Sequence, residues 1–291
     1  MNLNITQRLV LPKIPSASGI EVLANSIYII GDNSPWLFQL NLAGETVDQF
    51  QIYGQKNTTP DTIPKAVKPD FEAMTVVTLN GTSNFYIFGS ASKSPQRELL
   101  VRGTPNEPDS WTQFNLSDFF KKLKADCQLS DEDLNIEAAI ATHDSLYLFN
   151  RGKNAIIQFS LHEFEAFITG KKEVLGFKTN TVELPKINEI QTGFSGAALI
   201  PGQDKIIFTA SAENTANWID DGEISGSCVG ILDLKNFTIL HYAMFRENDA
   251  FLPLKIESVA IRSCTSHKME LLFVSDQDGG VSELISADLL Y

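Results

Sequence analysis

What this chain lacks narrows its chemistry first. It has three cysteines, Cys127, Cys228 and Cys264. An odd, scattered set gives neither a disulfide framework nor the paired spacing of a zinc site, and free thiols suit a reducing compartment. Positive charge is scarce: 23 Lys and Arg against 36 Asp and Glu leave a net charge of −13 and a sequence pI near 4.7. Such a chain lacks the basic patches that nucleic acid or an anionic membrane would need, so neither is expected as a partner. No apolar run approaches the roughly 18 residues of a membrane span. Residues 1–8 show no basic stretch followed by an apolar one, so no signal peptide is read and a cytoplasmic location is expected. Walker A and dinucleotide fingerprints are missing. The histidines His143, His162, His241 and His267 are dispersed, and Ser195 in Gly193-Phe194-Ser195-Gly196-Ala197 falls short of the Gly-x-Ser-x-Gly elbow.

What is present is one motif copied five times. The copies read Gly19-Ile20-Glu21-Val22-Leu23, Phe71-Glu72-Ala73-Met74-Thr75, Ile136-Glu137-Ala138-Ala139-Ile140, Ser195-Gly196-Ala197-Ala198-Leu199 and Ile256-Glu257-Ser258-Val259-Ala260. Matching their heads aligns positions 21, 72, 137, 196 and 257. A repeat of this size signals an array of like supersecondary units. After each motif come short runs of β formers separated by turn residues, such as Ile27-Tyr28-Ile29-Ile30, Phe85-Tyr86-Ile87-Phe88 after Asn80-Gly81, and Leu146-Tyr147-Leu148-Phe149. Each repeat thus reads as a four-stranded antiparallel meander. Residues 117–124 and 162–167 read as short helices between strands.

The fifth repeat runs out of chain after three strands. The segment Ile5–Leu11, by contrast, is a strand with no neighbour to pair with. An N-terminal strand completing the last sheet closes a ring and leaves no raw edge there. The expectation is therefore an all-β, single-domain, five-bladed β-propeller over residues 1–291. Its blades cover about 19–60, 70–116, 135–190, 194–245 and 255–291, the last completed by strand 5–11. Six blades, with a degenerate one in 160–190, is the alternative.

In a propeller the first strand of each blade lines the central channel, and the loops entering it share a face with the loops between strands two and three. That puts Glu21, Glu72, Glu137 and Glu257 around one mouth. Carboxylates so gathered repel one another unless a cation, bound protons or salt bridges compensate. A hard cation such as calcium takes several oxygen ligands and suits these four as metal ligands. Salt bridges to Lys68, Arg97, Arg151 and Lys153 would compensate too, and a structural latch between blades is the competing role. On the same face Lys93, Arg151 and Lys153 stand ready for an anionic group. Gly196 leaves the fourth blade without a glutamate. That blade also carries the long polar loop 211–227, where Trp218 is a candidate ligand contact and Glu213, Asp220 and Asp221 are candidate general bases. The asymmetry is expected to mark where a ligand enters. Asp276-Gln277-Asp278-Gly279 looks like the start of a calcium loop without the rest of its spacing.

Asp70-Phe71-Glu72-Ala73, Asn135-Ile136-Glu137-Ala138 and Ile256-Glu257-Ser258-Val259 resemble the blade starts of phytase-like (esterase-like) and SdiA-regulated propeller proteins. Nearly the whole chain resembles an uncharacterised bacterial propeller family, through Phe149-Asn150-Arg151-Gly152, Phe194-Ser195-Gly196-Ala197, residues 209–215 and residues 275–280. The wider resemblance implies calcium and the hydrolysis of phosphoesters or esters. The reading is a cation-dependent hydrolase of a small phosphorylated or esterified substrate. The alternative is a non-catalytic propeller binding a small anionic ligand or a protein on the same face.

Overall fold

A computed structural model describes every residue except 55–60, 80, 106, 215–221, 248–249, 277–280 and the side chain of residue 108. Five four-stranded antiparallel sheets form a ring of five blades. Blade 1 holds β2 (Ala17–Leu23), β3 (Ser26–Gly31), β4 (Trp36–Leu40) and β5 (Thr46–Gln51). Blade 2 holds β6 (Phe71–Leu79), β7 (Thr82–Gly89), β8 (Leu99–Thr104) and β9 (Glu107–Asn115), followed by helix α1 (Ser117–Cys127). Blade 3 holds β10 (Ile136–Ala141), β11 (Ser145–Asn150), β12 (Ala155–Ser160) and, after helix α2 (Leu161–Ile168), β13 (Lys178–Thr181). A two-stranded ladder, β14 (Lys186–Ile187) and β15 (Ile190–Gln191), leads into blade 4. Blade 4 holds β16 (Gly193–Leu199), β17 (Lys205–Asn214), β18 (Glu223–Asp233) and β19 (Thr238–Met244). A second ladder, β20 (Arg246–Glu247) and β21 (Ala250–Phe251), precedes β22 (Ile256–Cys264), β23 (Lys268–Ser275) and β24 (Ser282–Leu290) of blade 5.

The fourth strand of blade 5 is β1 (Asn2–Leu11), paired antiparallel with β24 from Asn2 opposite Leu290 to Leu11 opposite Ser282. The orphan strand of the sequence closes the ring, as strand counting requires.

The hydrophobic residues explain why the blades stack. Second strands are buried on both faces, so they read as unbroken apolar runs: Ile27–Ile30, Phe85–Phe88, Leu146–Phe149 and Leu271–Val274 are buried throughout. Five apolar clusters fill the five seams between neighbouring blades. The seam between blades 2 and 3 is the widest. There α1 contributes Phe119, Phe120 and Leu123, and α2 contributes Phe164, which stacks on Phe159 at 5.2 Å between centroids. Burying an aromatic ring of this kind contributes about 1.5–3 kcal/mol, so the helices are wedges rather than ornaments. α2 is also tied to blade 2 by Glu165, which accepts from Tyr86 Oη and from Arg102 at 2.7 Å. No helix among the described residues is long and apolar enough to cross a membrane.

Candidate functional site at the channel mouth

Each blade begins its inner strand with a β-bulge. The register against the second strand slips between Ala17 and Gly19, Phe71 and Ala73, Ile136 and Ala138, Phe194 and Gly196, and Ile256 and Ser258. The unpaired residues are therefore Ser18, Glu72, Glu137, Ser195 and Glu257. A bulge frees one side chain from the pleat and re-aims it, which is why bulges recur beside binding sites.

This geometry corrects the alignment read from the sequence. Blade 1's equivalent of Glu72 is Ser18, and Glu21 lies three residues further along β2, opposite Tyr28. Blade 4's equivalent is Ser195, not Gly196. Gly196 is the small residue after the bulge, and a Cβ there would sit 2.6 Å from both Ser258 Cα and Thr209 Oγ1. Blade 4 is thus not the lone exception, since blades 1 and 4 both carry serine.

The end of each second strand faces the start of its inner strand: Gly31 opposite Ala17, Gly89 opposite Phe71, Asn150 opposite Ile136. The residues just beyond join the bulges at one mouth. On the side of blades 1 and 2, Lys68 Nζ bridges Asp32 and Asp70, lying 2.6 Å from Asp70 Oδ1. Arg97 also pairs with Asp70, and Ser90 Oγ donates to Asp70 Oδ2 at 2.6 Å. Asp32, Asp70 and Glu72 each offer an oxygen within 4.8 Å of the others. Asp32 Oδ1 is buried without a hydrogen-bond partner.

On the side of blades 3 to 5, Arg151 donates to Glu213 Oε1 at 2.7 Å. Lys255 lies 3.2 Å from Glu257 and 3.5 Å from Glu213, while Asn135 Nδ2 donates to Glu137 Oε1 at 2.6 Å. Among the described residues the mouth gathers six carboxylates (Asp32, Asp70, Glu72, Glu137, Glu213 and Glu257) and four cations (Lys68, Arg97, Arg151 and Lys255).

The excess of carboxylates shows in their acidity. Burial pushes Glu137 up to about 7, opposed by Arg151 and Lys255. It pushes Glu257 up to about 8 against the pull of Lys255. Glu72 is held well above the usual carboxylate range by burial and by the charges of Asp70, Glu137 and Asp32. Asp32 is raised by burial against the pull of Lys68. Burial disfavours the charges of Lys68 and Arg151, but the acids around them more than offset it and keep both protonated. Glu21 stands apart: burial raises it to about 8, against hydrogen bonds from the backbone of Val22 and of Val76, the latter on the neighbouring inner strand β6.

The structure therefore brings Glu72, Glu137 and Glu257 together with Arg151 and Glu213. It places Glu21 further down β2. Lys93 is exposed on the loop after β7, and Lys153 is half-exposed and 2.9 Å from Asp133. Asp220, Asp221 and Trp218, with Asp278, lie outside the described residues. Sequence reasoning missed Asp70 and Lys255 as members of the ring of charges. Both stand two residues before a bulged glutamate, as does Asn135, and that recurring offset is the signal that would have found them.

A family model, described as a family of unknown function (DUF6929), matches residues 13–289. The chain belongs to that family. No curated protein matches the sequence. Among solved structures, a Myxococcus xanthus glutaminyl cyclase is similar, with a TM-score of 0.57 and 9% identity over 99% of this chain and 97% of the cyclase. A tail fibre of a Staphylococcus aureus phage gives a TM-score of 0.52 and 12% identity over 99% of this chain. This chain spans about half the length of that fibre, at 53%. A Staphylococcus aureus virginiamycin B lyase aligns over 99% of this chain and 100% of its own at 9% identity, with a TM-score of 0.46. At such identities the likeness concerns the fold, which serves an enzyme and a phage fibre alike.

Proposed function

We propose that the channel mouth is the site of a cation-dependent hydrolase acting on a small phosphorylated or esterified substrate. The observation that carries this reading is the charge imbalance: six carboxylates meet four cations, Glu137 and Glu257 are held up to about 7 and 8, and Glu72 is raised well above the usual carboxylate range. Perturbed acids gathered in one site are where acid–base chemistry is expected. The donor set of Asp32, Asp70 and Glu72 is all carboxylate oxygen and fits a hard cation such as calcium. A cation bound there supplies Lewis-acid polarisation and a more acidic water.

The chain's own residues supply the rest. Glu137 and Glu257, near 7 and 8, exchange protons with a substrate at neutral pH without the large cost an ordinary carboxylate would meet. Arg151 fixes Glu213 at the rim, and Lys93 and Lys153 stand on loops of the same face for an anionic group. The resemblance to phytase-like propellers supports the same chemistry. A second reading, a non-catalytic site for a small ligand or protein, draws on Lys68 and Lys255, whose ammonium groups already offset part of the excess.

Thermal melting with calcium, magnesium or a chelator tests the cation. A ligand that binds only the folded chain raises its melting temperature, by about 2.7 kcal/mol of stability at a hundredfold excess over Kd. No shift in any condition removes the cation. A shift lost in Glu72→Gln supports the site. A panel of chromogenic phosphoesters and lactones then separates hydrolase from binder.

A further inference from the structure

The residue before each bulge buries an N–H against the preceding blade, and such a group must find an acceptor there. Two of the five use main-chain carbonyls: Phe71 N donates to Asp32 O at 3.2 Å and Ile136 N to Ser90 O at 2.7 Å. The other three use side chains. Ala17 N donates to Ser282 Oγ at 2.9 Å, Phe194 N to Asn154 Oδ1 at 3.2 Å and Ile256 N to Ser227 Oγ at 3.1 Å.

Ser227 does more than accept. Its Oγ also donates to the Leu254 carbonyl at 2.6 Å, so it grips the main chain on both sides of Lys255. Asn154 grips Thr192 and Phe194 in the same way, but around Gly193, which has no side chain to place. At Lys255 a second hydroxyl joins. Ser211 stands opposite Ser227 with its Oγ 2.8 Å away, and donates to the Ile256 carbonyl at 2.9 Å. Both serines are fully buried. The two hydroxyl protons thus serve two buried carbonyls of blade 5 from the β17–β18 pair of blade 4.

We propose that Ser211 and Ser227 are positioning residues of the channel mouth, holding the main chain of 254–256 so that the Lys255 ammonium stands between Glu213 and Glu257. A lysine stem is long and flexible, so the place of its charge depends on how firmly its backbone is held. Lys255 Nζ lies 3.5 Å from Glu213 and 3.2 Å from Glu257. Glu213 and Ser211 belong to one strand, β17. That strand therefore carries both an acid that the lysine meets and a hydroxyl that fixes the lysine's backbone. The proposal rests on the mouth being the functional site, but its test reads geometry without cation or substrate. A failed cation test leaves it standing, and its own failure leaves the hydrolase reading standing.

A double-mutant cycle in chemical denaturation tests it. Ser227→Ala raises the unfolding equilibrium constant, and in a Lys255→Met background that increase is expected to be more than about threefold smaller, beyond the roughly twofold scatter of independent sites. Ser282→Ala removes the same kind of joint between blades 5 and 1, and its effect is the same in both backgrounds. Nitrogen-15 spectra of the lysine ammonium groups give a direct signature. Exchange of the Lys255 ammonium protons with water is expected to quicken more than about tenfold in Ser211→Ala and in Ser227→Ala, and not in Ser282→Ala. Either of two results overturns the proposal: a Ser227→Ala effect that is equal with and without Lys255, or an ammonium that responds to neither blade 4 serine or equally to Ser282→Ala.

Discussion

The raised acidity of the mouth glutamates makes stability depend on pH in an unusual sense. In the unfolded chain a glutamate ionises near 4.5. In the folded chain Glu257 keeps its proton to about 8 and Glu137 to about 7. Between those values the folded state binds more protons, so stability falls as pH rises. The contribution is fully present below about 4.5 and is gone above the folded values. From pH 5.5 to pH 8 the loss comes to about 3 kcal/mol for Glu257 and about 2 kcal/mol for Glu137, taken singly. The two are coupled, so their sum is an upper bound. Urea denaturation at the two pH values reads it directly. Glu257→Gln removes its ionisation and is expected to shrink the difference by about 2–3 kcal/mol, without lowering stability at pH 8. Calcium added at pH 8 restores stability if a cation takes the place of the protons. The reasoning fails if the unaltered chain is more stable at pH 8 than at pH 5.5, or if Glu257→Gln leaves the slope unchanged.

Two other substitutions probe how the mouth is built. Arg151→Met takes from Glu213 its closer partner and leaves it Lys255 at 3.5 Å, at a position where Arg151 is 5% and Glu213 9% exposed. The expected cost in chemical denaturation is about 1–3 kcal/mol, most of it recovered in the double variant Arg151→Met, Glu213→Leu, because removing both charges takes away the under-compensated carboxylate. Gly196→Ala sets a Cβ against the backbone at Ser258 Cα, which cannot rotate away, and is expected to cost about 1–3 kcal/mol by the same measurement.

The fold was legible because its signals are redundant. The period, the buried second strands and the unpartnered strand at 5–11 each argue for a closed ring, and an error in one is caught by the others. The site was legible only in part. Glu72, Glu137 and Glu257 stand where the motif put them, since each heads its copy directly. Glu21 does not, because a bulge inserts a residue that the eye passes over when matching like with like. In blade 1 a glutamate three positions later drew the alignment, while the true equivalent, Ser18, donates to the Phe71 carbonyl. The pattern of apolar residue, bulge, small residue, as in Ala17-Ser18-Gly19 and Phe194-Ser195-Gly196, would have set the register. Asp70 and Lys255 were harder to see. Their part in the ring of charges comes from side chains of different blades meeting in space, as Lys255 of one meets Glu213 of another, and no periodicity encodes that.

The closure of the ring has a consequence for biosynthesis. β1 is made before every other strand of the ring and its partner β24 after every other one, with Asn2 opposite Leu290. While blades 1 to 4 are being made, Leu3, Ile5 and Leu9 belong to a strand whose sheet does not yet exist. Four blades can stack as they emerge, but the fifth must wait until β24 is made. The nascent chain therefore carries an uncommitted apolar strand until β24 arrives, and that strand is where a cellular chaperone would find it.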